Sequence, residues 1–246
     1  MKQALILLFL LILIGLGLKY GRSWYKPIAT KFTGAKTMAS VEKVLLDKVR
    51  QRLQPDLKAA GFSEWPENLY YVAYKEEQRL EVYGYLEDRW KLIKTYPFTA
   101  MSGRIGPKLK EGDKQIPEGL YEIEYFNPNS SYHLSMKINY PNAFDKAQAK
   151  NEGRTDIGSD IFIHGKAVSI GCIAVGDVAI EELFILSSRM AKKTHKVMIL
   201  PWDFGEKREF PKVDNLPWTR QLYRELGREL SEIRLWCLKI KISVDK

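Results

Sequence analysis

The sequence predicts a mainly β domain with helices packed around it, and three observations carry that expectation. Segments 69–74, 79–85 and 90–96 are rich in Tyr, Val, Leu and Trp and follow one another through short charged turns, as in a β-meander. Two more strand signals, 119–126 and 132–138, flank the turn Asn127-Pro128-Asn129. Stretches with helical spacing of apolar residues bracket these strands on both sides.

Taken in order, the chain begins with an apolar run from Ala4 to Leu18, preceded by Lys2 and followed by Lys19, Arg22 and Lys26. Its length suits the core of a signal peptide and falls short of the roughly 20 residues that cross a bilayer comfortably. The sequence around Gly15-Leu16-Gly17-Leu18 is a poor cleavage site, which favours retention as an anchor, so residues 1–22 read as a signal or membrane anchor. Residues 23–66 read as a linker and a helix. Ser40 is the expected N-cap of a stripe formed by Val41, Val44, Leu45, Val49 and Leu53, with Pro55 kinking or ending it before a stop at Gly61.

The strands that follow open the central domain, 67–203. The Gly- and Lys-rich stretch 103–119 should be an exposed loop whose Arg104, Lys108, Lys110 and Lys114 are solvated or steer an acidic ligand. Residues 139–160 are polar and irregular, after which 161–163 reads as a buried strand ending at His164-Gly165. Asp177 is the expected N-cap of a helix running to about Met190, and 195–200 reads as another strand. Residues 204–246 form a C-terminal extension in which Leu222, Leu226, Leu230, Ile233 and Cys237 make an amphipathic helix. It could pack on the domain or meet a partner.

Composition narrows the function classes. An apolar fraction of 45% with 28% charged residues describes an ordered globular chain. The formal charge of +9 permits nucleic acid, anionic lipid or an acidic polymer as partner. No helix-turn-helix, RNA-binding aromatic pair or zinc finger accompanies the dispersed Lys and Arg, so nucleic acid is not expected. Two cysteines without a C-x-x-C and three histidines without H-E-x-x-H make zinc improbable, and no cofactor is expected. Cys237 reads as a packing residue, and His195 as structural.

Chemistry concentrates in 161–173, where His164-Gly165 precedes Ser169-Ile170-Gly171-Cys172. A thiol becomes a strong nucleophile only as thiolate, and an imidazole can take its proton, so a Cys and His pair supports attack on an amide carbonyl. The N–H groups around Gly171 and Cys172 could hold the oxyanion that develops. From these residues alone, an ordinary buried Cys and His is the favoured reading over a catalytic pair.

The segment resembles the signature of the L,D-transpeptidase (YkuD) family, H-G, a short insertion, then S-H-G-C. The resemblance covers roughly 69–200 and implies a YkuD-like catalytic domain with Cys172 as nucleophile and His164 as base, supported by Gly165 and Gly171. It implies that the imidazole is oriented by a hydroxyl or a carbonyl; Gly165 has no side chain, so a carbonyl is expected. Two positions depart from the usual pattern: Ile170 replaces histidine, and Ala174 stands where arginine often binds a terminal carboxylate. With Arg79-Leu80-Glu81-Val82-Tyr83, the block from Gly112 to Gly119 and the run from Tyr132 to Asp145, they resemble the proteobacterial YafK-like subgroup, whose closing motif is S-h-G-C. That subgroup includes an amidase that releases Braun lipoprotein from peptidoglycan.

What the resemblance implies is a thioacyl enzyme acting on peptidoglycan stem peptides in the periplasm or cell envelope. An amine acceptor gives transpeptidation, water gives hydrolysis of a lipoprotein linkage, and an inactive wall-binding module is the third alternative. Partners would be stem peptides, an envelope lipoprotein and, through the N-terminal segment, the inner membrane. Substrate contacts are expected from Tyr132, His133, Ser169 and Arg154, the last as a replacement for the missing arginine. A histidine at position 170 is expected to be poorly satisfied among apolar neighbours, so Ile170→His should lower folded yield or turnover.

Overall fold

The computed structural model describes residues 34–189, 195–206 and 209–243, with side chains described as far as Arg234. The expected signal or anchor at 1–22 lies outside these residues, as does the side chain of Cys237. In chain order the elements are α1 (Met38–Ala59), β1 (Leu69–Tyr74), β2 (Arg79–Leu86), β3 (Arg89–Pro97), β4 (Gly119–Asn127), β5 (Ser135–Ile138), α2 (Ala143–Asn151), β6 (Phe162–His164), β7 (Ile173–Ala174), α3 (Asp177–Ser188), β8 (His195–Leu200) and α4 (Thr219–Ser243). The strands form one sheet in the order β3-β2-β1-β8-β4-β5-β6-β7. Among the described residues no helix is long and apolar enough to cross a membrane.

The centre of the sheet explains why its strands read so clearly. β1 and β8 run parallel, Leu69 opposite His195 through Tyr74 opposite Leu200, and β1 is buried along its whole length. Alternation divides their side chains between two cores. Leu69, Tyr71, Ala73, Val197 and Ile199 face α1 and α3, whereas Tyr70, Val72, Tyr74, Met198 and Leu200 face Leu222, Tyr223, Leu226, Leu230 and Ile233 of α4. The C-terminal helix therefore packs on the domain, covering the second face of the sheet.

α1 starts one turn earlier than Ser40, because Thr37 is the cap: its hydroxyl accepts from Ser40 N–H while Ser40 Oγ accepts from Thr37 N–H. Pro55 does not end this helix, which continues to Ala59. Its ring lies on the exposed side, where water can serve the carbonyl that a proline leaves without a donor. α3 begins at Asp177 rather than being capped by it; Gly176 is the N-cap and Asp177 turns its carboxylate to Lys166. Arg52 ties the two helices through Glu181 at 2.9 Å and Glu182 at 3.1 Å.

Two expectations for the loops change. The polar stretch after Asn139 contains α2, capped reciprocally by Asn142 and Asp145. The loop before β4 is exposed only in part: Lys108 is buried, beside Gly106 and Pro107, and not solvated.

His195 opens β8 at 3% exposure, its ring edge-on to Phe126 at 5.6 Å and its Nδ1 without a hydrogen-bond partner among the described residues. Burial pushes its pKa down to about 4. An unfolded imidazole titrates near 6.5, so the unfolded chain takes a proton that the folded chain refuses. The neutral ring's contribution is complete above about 6.5 and is lost as pH falls toward about 4, a difference of about 3 kcal/mol. Urea unfolding at a series of pH values should show this decline, and His195→Phe should flatten it; an unchanged slope in the variant would assign the acid sensitivity elsewhere.

Candidate active site

The site is built at the β6–β7 end of the sheet. β6 and β7 are parallel, with Ile163 opposite Ile173 and His164 opposite Ala174. Both isoleucines are fully buried in the core. Alternation then sends His164 to the other face, and Cys172, one residue before β7, to that same face beside Phe162. Strand rise and spacing put the α-carbons of His164 and Cys172 on the order of 8 Å apart, close enough for their side chains to meet.

His164 is 2% exposed. Its Nδ1 lies 2.6 Å from the carbonyl oxygen of Gly165. A carbonyl can only accept, so the neutral ring carries its proton on Nδ1 and leaves Nε2 as a free base. Tyr132 lies against the imidazole, ring centroids 4.6 Å apart, and limits its rotation. Burial lowers the pKa of His164 and raises that of Cys172, so the pair rests as imidazole and thiol rather than as ions. In this state the thiol points to the carbonyl oxygen of Asp160 at 3.8 Å.

Glycine is required at both flanking positions. A Cβ on Gly165 would meet Asp177 Oδ1 at 2.6 Å and the Tyr132 carbonyl at 2.7 Å. Gly171 has φ +115° and its Cβ would lie 3.1 Å from the Gln115 carbonyl. The expected oxyanion role of Gly171 is corrected, however. Its N–H donates to Ser102 Oγ at 2.7 Å, so of the two N–H groups foreseen only that of Cys172 is left for an oxyanion.

The four residues expected to meet substrate fare differently. Tyr132 is at the site, 39% exposed and against the base. The Ser169 hydroxyl is directed inward, donating to the Cys172 carbonyl at 2.7 Å, and so shapes the cysteine loop. His133 is not on a strand, since β5 begins only at Ser135; with φ +75° it turns its Nε2 to Glu181 of α3 at 2.8 Å. Arg154 is held by Glu152 at 2.6 Å and by the Leu109 carbonyl at 2.9 Å. It lines an open cleft of about 890 Å³ with Arg104, Lys110, Glu111, Gln115 and Asp156, which adjoins the cysteine loop through Gln115.

Residues the sequence gave no reason to select also build the site. Ser102 and Gln115 brace Gly171, Asp160 supplies the carbonyl facing the thiol, and Asp177 fixes the turn after His164 by accepting from Lys166 N–H and pairing with its ammonium. Of these only Gln115 lies in a stretch already singled out, the block from Gly112 to Gly119 that carries part of the family resemblance. Among the described residues no group of His, Cys, Asp and Glu is arranged to hold a metal.

Ile170 is 74% exposed, beside Val168 at 53%. The expected penalty for Ile170→His is therefore reversed, because no apolar packing surrounds this side chain. The variant should keep its unfolding free energy within about 0.5 kcal/mol of the parent, as surface changes do. A larger loss in denaturant titration would restore the expectation of a packed site.

The chain is 35% identical over 118 residues to the putative L,D-transpeptidase YafK of Escherichia coli K12, a match covering 47% of this chain and 46% of that protein. It thus spans about half the length of the curated relatives it matches. Among solved structures it is similar to the helical cell shape determining protein Pgp2 of Campylobacter jejuni, with 24% identity, 61% of this chain and 55% of that one covered, and a TM-score of 0.45. It is also similar to Bd1075 of Bdellovibrio bacteriovorus, with 23% identity, 58% and 51% covered, and a TM-score of 0.40. The family model of the L,D-transpeptidase catalytic domain, YkuD, matches residues 68–199, more than half of the chain, and the chain belongs to that family.

Proposed function

We propose that this chain is a peptidoglycan L,D-transpeptidase of the cell envelope that works through a thioacyl group on Cys172. The observation that carries the reading is the placement of Cys172 and His164 on one face of the β6–β7 ladder, with Nδ1 of the imidazole engaged by Gly165 and Nε2 free. The thiol proton passes to Nε2 as sulfur attacks the carbonyl carbon on the L-side of a stem-peptide bond. The Cys172 N–H holds the oxyanion, and His164 returns the proton to the departing amine of the D-residue. An acceptor amine then attacks the thioacyl carbon and gives its proton to His164; the C–S bond breaks, the new amide departs, and the Cys172 thiolate takes the proton back from His164.

The test is product analysis on stem peptides of defined length with the full chain, with and without an amine acceptor. A thioacyl mass on the protein and a crosslinked product in the presence of acceptor are expected. Released peptide or lipoprotein alone would make the enzyme a hydrolase, and binding without a covalent adduct would make it a wall-binding module; either overturns the transferase reading.

A further inference from the structure

The loop before β4 places a buried cation under the catalytic cysteine. The side chain of Lys108 is 5% exposed, and its Nζ donates to Asp113 Oδ1 at 2.6 Å and to the Lys110 carbonyl at 2.9 Å. An ammonium has three N–H donors, so one remains without an acceptor among the described residues. The side chain runs beneath the segment that faces the thiol: Lys108 Cε lies 3.0 Å from where a Gly158 Cβ would be, and two residues on is Asp160, whose carbonyl meets Sγ. Tyr140 Oη donates to the Ile157 carbonyl at 2.8 Å and sits 3.5 Å from that of Lys108, fixing the two segments together.

Asp113 reaches the other side of the cysteine. Its carboxylate accepts from the N–H groups of Leu109, Lys110 and Gln115, and the Gln115 carbonyl packs on Gly171. The Lys108–Asp113 pair therefore joins the two segments that touch Gly171 and the Cys172 sulfur. We propose that Lys108 is a positioning residue for Cys172, its buried ammonium stabilising negative charge on sulfur from beneath the 157–160 and 113–115 segments.

The other charges near the thiol do not supply this. His164 rests neutral, and the Asp160 carboxylate opposes thiolate formation. Asp160 is 69% exposed and paired with Lys137 at 3.0 Å, so water and its partner screen it, whereas Lys108 acts across the protein interior. Lys166 is engaged by Asp177 beyond Gly165. Among the described residues, Lys108 is thus a cation that acts on sulfur from the interior rather than through water.

The inference rests on Cys172 being the nucleophile, but its test reads sulfur directly and needs no peptidoglycan. The rate of Cys172 alkylation by iodoacetamide is followed against pH in the full chain, with Cys237→Ala as background, alongside far-UV circular dichroism. Lys108→Met should move the thiol's apparent ionisation upward by about one unit, which is about tenfold slower alkylation below it, and Lys108→Arg should recover most of the loss. Asp113→Asn should move it downward. A folded Lys108→Met whose profile superimposes on the parent overturns the proposal. If that variant does not fold, an unchanged profile in Asp113→Asn overturns it equally.

Discussion

Cys172→Ala is expected to remove stem-peptide turnover altogether, with no thioacyl mass detectable on the protein, while the fold survives. The reason is local. The change deletes the attacking atom of a half-buried side chain but leaves Gly171 on Ser102 and Ser169 on the Cys172 carbonyl, so the loop keeps its anchors. His164→Ala should lower turnover by about 10²- to 10⁴-fold, the usual range for losing a general base. Intact-mass measurement after incubation with peptidoglycan fragments reads the first variant, and steady-state turnover reads the second. Full turnover by Cys172→Ala would end the thioacyl mechanism.

The largest effect on stability is expected at Lys75. This residue and Glu118 form an ion pair at 2.8 Å with both side chains at 0% exposure. Lys75 Nζ also donates to the carbonyls of Gly106 and Ile116, and Glu118 accepts from Gly106 N–H and from Tyr223 Oη. Breaking one side of such a pair leaves an uncompensated charge in the interior, which costs about 3 to 5 kcal/mol. Lys75→Met should lose that much in equilibrium urea unfolding, and Lys75→Met with Glu118→Gln should regain part of it. A single variant within about 1 kcal/mol of the parent would show that water reaches the pair.

Much of the framework was legible because burial on two sides leaves an unmistakable pattern. β1 is apolar at nearly every position since both faces are covered, and 195–200 is read for the same reason. His164 and Cys172 could be selected through their motif, but its register could not, since two residues of β7 decide which face the thiol occupies. α2 was hidden because a short polar helix has little periodicity to read; its Asn142 and Asp145 caps were the one available signal. Lys108 and His133 were misplaced for a related reason. A charged residue in a Gly-rich loop reads as solvated, and nothing in a β-like alternation announces a left-handed backbone at position 133.

The two-sided burial of β1 also bears on how the molecule can be dissected. The extension beginning at 204 reads in sequence as an appendage, yet α4 supplies Leu222, Leu226 and Leu230 against Tyr70, Val72 and Tyr74, and Tyr223 is a ligand of the buried Glu118. A cut at 203 would turn the most buried strand of the sheet into an open apolar wall and leave one carboxylate oxygen stranded. Glu118 also receives Gly106 N–H, at the root of the loop that carries Lys108. The family segment is thus not an excisable module in this chain: the loop that carries Lys108 and the buried face of β1 are both held by residues that lie beyond its C-terminal limit.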